Sequence, residues 1–242
     1  MPNRVHCPSP PGRLAFVQLA RCQTRPHLRL AFRRTRPVYS SPVKQSIVTL
    51  DMEGVLTPEI WIAVAARTGL PELRRTTRDE PDYDKLMRYR LAILDREGIT
   101  LSKIQEVIGG LAPLPGALEF LDDLRTRVPV LILSDTFEQF AQPLIRQLKW
   151  PALWCHRLVV ANDRITGYQL RLPDQKRASV AALQGLNYQV LAAGDSFNDT
   201  AMLTQADHGF LLHAPAAIVK QFPQFPAFND YAALAKAMLA KM

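Results

Sequence analysis

Residues 50–57 read Leu-Asp-Met-Glu-Gly-Val-Leu-Thr and directly follow the apolar run Ile47-Val48-Thr49. The apolar run predicts a buried β-strand that ends at Asp51 and Glu53, and an extended backbone points side chains two positions apart the same way. Gly54 allows the chain to leave the sheet sharply just after them. Two carboxylates at a strand end can act as nucleophile and general acid or base, can hold a divalent cation, or can be ordinary surface acids.

Two later apolar runs also end in small or acidic polar residues. Residues 128–133 lead into Ser134-Asp135-Thr136, and residues 188–193 lead into Gly-Asp-Ser-Phe-Asn-Asp at 194–199. Near-continuous apolar strands separated by helical patterns are typical of a parallel sheet covered on both faces, whose ligands bind at the carboxyl edge. We therefore predict an α/β, doubly wound parallel sheet. Asp51, Ser134 and Asp195 are expected to meet at one edge, although 83 and 61 residues separate them along the chain.

The segment between the first two strands is helical in pattern. Pro58 is expected to begin a helix that Gly69 ends, residues 84–97 carry the apolar spacing of a second helix, and Ser102 is expected to cap a third. We predict that residues 58–115 form a helical cap domain inserted into a core domain made of residues 45–57 and 116–242. Further along, a hairpin about Asn162-Asp163 and a closing helix at 231–240 are expected.

The composition excludes several classes of protein. The 242 residues are 48% hydrophobic and 21% charged, which is ordinary for a globular protein. No apolar run approaches the roughly 20 residues of a transmembrane helix, so no membrane partner is expected. Three scattered cysteines suggest neither a disulfide framework nor a zinc site and fit a reducing, cytoplasmic location.

The net charge of +8 is concentrated at one end of the chain. Residues 1–50 contain nine Lys or Arg and no acid, whereas the remaining 21 basic and 22 acidic residues nearly balance. Because the body is close to neutral, it is not expected to present a basic surface to nucleic acid.

Residues 1–44 are predicted to be a basic, Pro- and Arg-rich, disordered extension, because they lack sustained periodicity. Three explanations stay open: an organellar transit peptide, a tail that binds anionic surfaces, or an upstream segment misassigned to a protein that starts near Val43. We favour the last, because a strand opening at Ser46 is a natural beginning for such a domain. Secretion is disfavoured because the apolar stretch at 14–20 is short and interrupted by Gln18.

Four motifs carry a family resemblance. The segments at 51–57, 134–136 and 194–199, together with Lys176, resemble in order the four motifs of the haloacid-dehalogenase superfamily of phosphatases. The resemblance covers about residues 46–242. It is closer to the bifunctional phosphoserine phosphatase/homoserine phosphotransferases, through Asp-x-Glu-Gly-Val-Leu-x-Pro-Glu-Ile-Trp at 51–61, Pro-Asp-Tyr-Asp at 81–84 and Ile-Leu-Ser-Asp-Thr-Phe at 132–137.

The resemblance implies catalytic roles for Asp51, Glu53 and Lys176. Asp51 would attack phosphorus and carry an aspartyl-phosphate, Glu53 would serve as general acid and base, and Lys176 would neutralise charge on the phosphoryl oxygens. Most relatives have Asp where this chain has Glu53, so the reach of the longer side chain is an open point. The resemblance also implies Mg²⁺, a cation that prefers oxygen ligands, held by Asp51, the backbone carbonyl of Glu53, Asp195 and Asp199.

A second set of residues is implied to bind substrate. Ser134 and the backbone amides of Asp135 and Thr136, opening the next helix, would hold the phosphate oxygens, although Asp135-Thr136 departs from the usual Ser-Gly-Gly. Asn198 and Asp199 would orient Lys176 and the metal waters. Glu59 would pair with a substrate ammonium, Arg90 with its carboxylate, and Tyr83 would close over the substrate.

The resulting hypothesis is a Mg²⁺-dependent phosphoserine phosphatase that can also transfer the phosphoryl group to homoserine. The alternatives are a phosphatase for another small phosphomonoester, such as a sugar or nucleotide phosphate, or a non-catalytic regulatory protein that uses its basic tail. The resemblance also leaves room for a homodimer. The residues alone do not fix the ratio of hydrolysis to transfer, because closure of the lid over the site decides it.

Overall fold

The first predicted strand, β1 (Gln45–Leu50), lies in the middle of a mostly parallel sheet. The protein is seen in a computed structural model that describes residues 43–77, 79–80 and 82–242, so the predicted extension lies outside the described residues except for its last two positions. Within the described residues the sheet order is β4-β3-β2-β1-β5-β6-β7. The other strands are β2 (Val130–Phe137), β3 (Ala152–Ala161), β4 (Arg164–Gln169), β5 (Tyr188–Gly194), β6 (His208–Leu212) and β7 (Ala227–Phe228).

Strand β4 is antiparallel to β3, and every other neighbouring pair is parallel. The hairpin between β3 and β4 was predicted from Asn162-Asp163, and both residues have positive φ, at 50° and 62°. Two left-handed residues form the tight turn whose twist matches that of the strands. The prediction of a doubly wound parallel sheet is confirmed, with an antiparallel strand at one edge.

Helices cover both faces of the sheet because the side chains of each strand alternate between the faces. Val48 and Leu50 of β1 belong to one apolar core, and Ile47 of β1 belongs to the other. The helices of the chain in the described residues are α1 (Ile60–Thr68), α2 (Tyr83–Arg96), α3 (Leu101–Gly109), α4 (Ala117–Arg125), α5 (Glu138–Gln147), α6 (Gln175–Gly185), α7 (Thr200–Gln205), α8 (Ala216–Gln221) and α9 (Tyr231–Leu239). Helices α4, α5 and α9 pack on the first core, and α6 and α7 pack on the second. Among the described residues, no helix combines the length and the apolar character needed to cross a bilayer.

The three helices α1, α2 and α3 follow β1 as the sequence predicts. Two details of the sequence prediction are wrong, and the first concerns the start of α3. Thr100, not Ser102, caps α3, since its side chain accepts a hydrogen bond from the Lys103 amide. The backbone amide and hydroxyl of Ser102 instead donate to Asp163 in the β3–β4 turn, at 3.0 and 2.9 Å. Ser102 therefore ties the inserted helices to the hairpin.

The second wrong detail concerns the start of α5. Asp135 and Thr136 do not open this helix, because β2 continues through Phe137 and the helix begins at Glu138. The two residues lie in extended backbone at the strand end. Their amides are therefore positioned by the sheet and by local contacts rather than by the first turn of a helix.

Candidate active site

The three predicted strand ends meet at one edge of the sheet. Leu50 is in register with Ile132 of β2 and Ala193 of β5, and the Asp51 amide donates to the Ala193 carbonyl at 2.9 Å. Residues that follow these strands must therefore emerge side by side. The convergence predicted from the apolar runs is a direct result of the parallel pairing.

Two glycines let the carboxylates come together. A Cβ on Gly54, whose φ is +79°, would lie 2.3 Å from Asp195 Oδ2, and a Cβ on Gly194 would lie 2.3 Å from Asp199 Cγ. No real side chain tolerates such distances, so both positions need glycine. As a result, carboxylate oxygens of Asp51, Asp195 and Asp199 all lie within 4.8 Å of one another.

Lys176, in the first turn of α6, lies between two of these acids. Its Nζ is 2.8 Å from Asp51 Oδ1 and 2.8 Å from Asp199 Oδ1, and its side chain is 4% exposed. Asp199 is fully buried, and its Oδ2 accepts hydrogen bonds from the Asp195 and Ser196 amides at 3.0 Å each. Asp199 thus contacts Lys176 with one oxygen and holds the turn that presents Asp195 with the other.

The site carries more negative than positive charge. Burial by itself would lower the pKa of Lys176, but the Asp199 and Asp51 carboxylates outweigh it and hold that pKa well above its usual value. Burial and the charge of Asp199 also raise the pKa of Asp51, against the opposing effect of Lys176. The three carboxylates of Asp51, Asp195 and Asp199 share one ammonium, that of Lys176, so this cluster has a net negative charge. A divalent cation, which prefers oxygen ligands, fits this set of donors.

Glu53 turns back toward the inserted helices. Its Oε2 accepts a hydrogen bond from the Ile60 amide at 2.9 Å, at the start of α1, where backbone N–H groups lack partners within the helix. Burial raises the pKa of the Glu53 carboxyl, and the Ile60 amide opposes that shift. A carboxyl group with a raised pKa is suited to donate a proton near neutral pH. The longer side chain therefore has a defined position at the junction of core and insertion.

The last residues of β2 form a small polar cluster. Ser134 Oγ accepts a hydrogen bond from the Thr136 amide at 3.3 Å. The Asp135 carboxylate accepts one from Gln175 Nε2 at 3.1 Å, and His156 Nε2 lies 3.6 Å from the same Oδ1. Burial would raise the pKa of Asp135, but Lys176, His156 and Gln175 lower it to about 2, so this residue is ionised.

The inserted helices supply the opposite wall. Arg90 is buried with its guanidinium 4.5 Å above the Trp61 ring, and it donates from Nη2 to the Arg75 carbonyl at 2.6 Å. Among the described side chains, Arg90 Nε is a buried nitrogen without a hydrogen-bond partner. Burial lowers the Arg90 pKa to about 10, which leaves it cationic at neutral pH. Tyr83 donates its hydroxyl proton to the Asp135 carbonyl at 3.0 Å.

Asn198 has a different partner from the one predicted. Its Oδ1 accepts a hydrogen bond from Thr77 Oγ1 at 3.0 Å, so its side chain is joined to the insertion and not to Lys176. The structure places Glu59 directly before α1, with no capping hydrogen bond from its side chain.

One cavity of about 120 Å³, which we call the catalytic cavity, gathers almost all of these groups. Every predicted site residue except Asp199 lines it. Trp61 and Ser196 also line the cavity, and although both belong to motifs of the sequence, neither was predicted as a site residue. Thr76 and Thr77, which line it too, and Gln175 and His156, which hold Asp135, belong to no motif. The position of Gln175 next to Lys176 is the one signal that could have found it.

Comparison with known proteins identifies the family. The haloacid dehalogenase-like hydrolase family model matches residues 45–207. The chain is 57% identical over 194 residues to the phosphoserine phosphatase ThrH of Pseudomonas aeruginosa, covering 80% of this chain and 95% of that protein. A phosphoserine phosphatase of Pseudomonas syringae pv. tomato is 57% identical over 191 residues, covering 78% of this chain and 81% of that protein. The chain belongs to the haloacid dehalogenase-like hydrolases.

Solved structures give the same fold at lower sequence identity. A substrate-bound phosphoserine phosphatase complex superposes with a TM-score of 0.66 at 20% identity, covering 81% of this chain and 99% of that one. The overlap extends over nearly the whole of that protein, so the two chains share the fold.

Proposed function

We propose that this chain is a phosphoserine phosphatase that works through a covalent aspartyl-phosphate on Asp51. The observation that carries the proposal is the position of Asp51: its carboxylate is buried at the end of β1, 2.8 Å from Lys176, on the floor of the catalytic cavity. The names of the two relatives at 57% identity give the substrate, and the match to the four family motifs gives the chemistry.

The reaction divides into two displacements. Asp51 attacks phosphorus, the bond to the serine oxygen breaks, and Glu53 gives its proton to that oxygen. Glu53 then accepts a proton from water as the water oxygen attacks phosphorus, and the bond to Asp51 breaks to release inorganic phosphate. Ser134 and the amides of Asp135 and Thr136 hold the phosphoryl oxygens, while Lys176 neutralises their charge.

We assign the divalent cation as Mg²⁺. Asp51 and Asp195 would hold it together with the Glu53 backbone carbonyl, and the cation would offset the charge repulsion between a carboxylate nucleophile and an anionic phosphoryl group. Asp199 was also predicted as a ligand, and its bonds to Lys176 and to the Ser196 amide favour a positioning role instead.

Residues 58–115 are proposed to act as the cap that selects the substrate. Arg90 is the proposed partner of the phosphoserine carboxylate, since its buried Nε lacks a partner among the described residues, and Glu59 is the proposed partner of the ammonium. Homoserine is proposed as a second acceptor because the aspartyl-phosphate is common to hydrolysis and transfer. A homodimer and a cytoplasmic location remain predictions.

A panel of phosphorylated small molecules tests the proposal directly. Phosphate release is measured for phosphoserine, phosphothreonine, a sugar phosphate, a nucleoside monophosphate and p-nitrophenyl phosphate, each with Mg²⁺ or with EDTA. We expect phosphoserine to have the highest kcat/KM and EDTA to abolish its turnover, with activity restored by added Mg²⁺. Equal kcat/KM values for all five compounds would refute amino-acid recognition, and full activity in EDTA would refute the metal assignment.

A further inference from the structure

The segment 134–136, which is proposed to hold the phosphoryl oxygens, lies where β2 leaves the regular ladder of the sheet. The register that pairs β2 with β1 ends at Ile132. The register with β3 shifts between Leu133 and Phe137, where four positions of β2 correspond to two positions of β3. Extra residues of this kind form a bulge, in which the regular ladder is disrupted. Contacts from outside the ladder are therefore needed to fix the direction of this segment.

The first turn of α6 supplies such contacts through Gln175. Its Nε2 donates one hydrogen bond to the Ser134 carbonyl and another to Asp135 Oδ1, the latter at 3.1 Å. Its Oε1 accepts a hydrogen bond from Arg171 Nε at 3.2 Å, and the residue is 2% exposed. The nitrogen of an amide side chain has two protons to donate and its oxygen only accepts, so these three contacts define which way the amide faces.

Arg171 is itself held by three further contacts. Its guanidinium lies 4.8 Å from the centre of the Trp154 ring, and its Nη2 donates to the hydroxyl of Ser179, a buried residue of α6. Its backbone amide donates to His156 Nδ1 at 3.1 Å. Gln175 is therefore part of a connected polar network, in which each hydrogen bond limits the freedom of the next.

The same turn of α6 also holds the proposed nucleophile. Lys176, the residue after Gln175, lies 2.8 Å from both Asp51 and Asp199. Asp51 follows β1, Asp199 lies beyond the end of β5, and the two acceptors of Gln175 are at the end of β2. Two neighbouring residues of one helical turn thus set the position of the attacking carboxylate relative to the segment 134–136.

We propose that Gln175 is a positioning residue of the phosphatase, which holds the Ser134 carbonyl and the Asp135 carboxylate so that the segment 134–136 faces the phosphoryl oxygens. The inference rests on the proposed function, because it assumes that this segment holds those oxygens. Gln175 is outside the lining of the catalytic cavity and acts through its hydrogen bonds alone. Its loss should affect every phosphomonoester alike, since the phosphoryl group is common to all of them.

The first test removes these hydrogen bonds and keeps the length of the side chain. In Gln175→Met, kcat/KM should fall about 10- to 100-fold for phosphoserine and for p-nitrophenyl phosphate alike, because the groups that hold the phosphoryl oxygens lose their productive geometry. The inhibition constant of inorganic phosphate should rise about three- to tenfold, as expected for one weakened hydrogen bond or two. Unequal losses for the two substrates would place Gln175 in recognition of the leaving group and would overturn the inference.

Gln184 offers a matched control on the same helix. Its Nε2 also donates to a backbone carbonyl, that of Gln205, and to a carboxylate, that of Asp207, each at 2.9 Å. These contacts lie near the other end of α6. Gln184→Met should lower Tm about as much as Gln175→Met but keep kcat/KM within about twofold of the natural protein, because distant sites act independently. Equal falls in kcat/KM would assign the effect to lost stability and contradict a positioning role.

A further variant separates the two sides of the Gln175 amide. Gln175→Glu keeps an acceptor for Arg171 and can pair with its charge, so the fold should be retained. The ionised side chain has no proton for the Ser134 carbonyl and places a like charge beside Asp135. We expect kcat/KM to fall at least as far as in Gln175→Met. Activity close to that of the natural protein would mean that only the contact with Arg171 matters, and the inference would be wrong.

The failures of the two proposals are distinguishable. If the natural protein hydrolyses phosphoserine and Gln175→Met hydrolyses it equally well, the positioning role is refuted and the phosphatase assignment stands. If the natural protein releases phosphate from none of the phosphomonoesters, the proposed function fails, and the positioning role fails with it.

Discussion

The floor and the roof of the catalytic cavity are held in different ways. The floor consists of Asp51, Lys176 and Asp195, with Asp199 behind them, and each follows or faces a strand end of the central sheet. The roof consists of Glu59, Thr77, Tyr83 and Arg90 from the inserted helices. Tyr83 of the roof donates a hydrogen bond to the Asp135 carbonyl and packs against the rings of His156 and Tyr168, and Thr77 donates a hydrogen bond to Asn198.

This difference separates chemistry from recognition. Groups held by parallel strands and buried ion pairs keep one geometry, as bond-making requires. Groups of the roof lie on helices outside the sheet, so changing one of their side chains alters the contacts with the substrate and leaves the strand ends in place. Variants of the floor should therefore abolish turnover of every substrate, whereas variants of the roof should change the preference among substrates.

The largest effect is expected at the nucleophile. Asp51→Asn keeps the shape of the side chain but removes the attacking carboxylate, so kcat for phosphoserine and p-nitrophenyl phosphate should both fall by at least about 10³-fold, as for loss of a nucleophile in other covalent enzymes. Single-turnover phosphate release measures the change. The control is Asp123→Asn, which removes an exposed carboxylate paired with Arg127 and should leave turnover unaffected. Unchanged turnover in Asp51→Asn would exclude the proposed nucleophile.

The next largest effect is expected at Gly54, whose backbone lies against the Asp195 carboxylate. Gly54→Ala places a Cβ 2.3 Å from Asp195 Oδ2 and strains a backbone at φ +79°, so kcat should fall at least about tenfold and the free energy of unfolding by about 1 to 3 kcal/mol. Gly98→Ala is the matched control, because its φ is +64° and no atom lies within 4 Å of the added Cβ. It should lower the unfolding free energy but keep full kcat. Loss of activity in both variants would mean that backbone strain alone matters.

A smaller and selective effect is expected in the roof. Arg90→Lys keeps the charge but loses the planar pair of donors, so kcat/KM for phosphoserine should fall about 10- to 100-fold, corresponding to hydrogen bonds to a charged group of about 1.5 to 3 kcal/mol. The value for p-nitrophenyl phosphate, which has no carboxylate on its leaving group, should change less than threefold. Arg88→Lys on the exposed face of α2 is the control. Equal losses for both substrates contradict a carboxylate partner.

The smallest effect concerns the contact between insertion and core. Thr77→Val removes the hydroxyl that donates to Asn198, so KM for phosphoserine should rise about two- to tenfold, as expected for one hydrogen bond of about 0.5 to 1.5 kcal/mol, with kcat nearly constant. Thr204→Val removes a hydroxyl that bonds only within its own helix and is the control. A fall in kcat without a change in KM would place Thr77 in the chemistry rather than in closure.

The elements that the sequence predicted are those with a strong local signal. Apolar runs identified β1, β2 and β5, and parallel pairing then required Asp51, Ser134 and Asp195 to meet. The long apolar spacing at 84–97 likewise identified α2. The prediction included eleven of the seventeen described residues that line the catalytic cavity, because those residues belong to motifs or lie in the helices after β1.

The missed parts depend on contacts between distant residues. Helices α7 and α8, each of six residues, and the two-residue β7 are too short to give a periodic signal. Thr100 and Ser102 both suit a helix cap, and only the position of Asp163, about 60 residues later, decides between them. Gln175 and His156 acquire their role from the place where α6 and β3 pass Asp135, which no local pattern encodes.

The central position of β1 has a consequence for how the polypeptide acquires its structure during synthesis. β1 is the first strand of the described chain, but its partners begin at Val130 and Tyr188. A ribosome therefore exposes β1 long before either neighbour exists, and contacts this distant in sequence form slowly. A nascent chain that stops short of Tyr188 would leave one side of β1 without hydrogen-bonding partners, which is the kind of exposed strand edge that chaperones protect from aggregation.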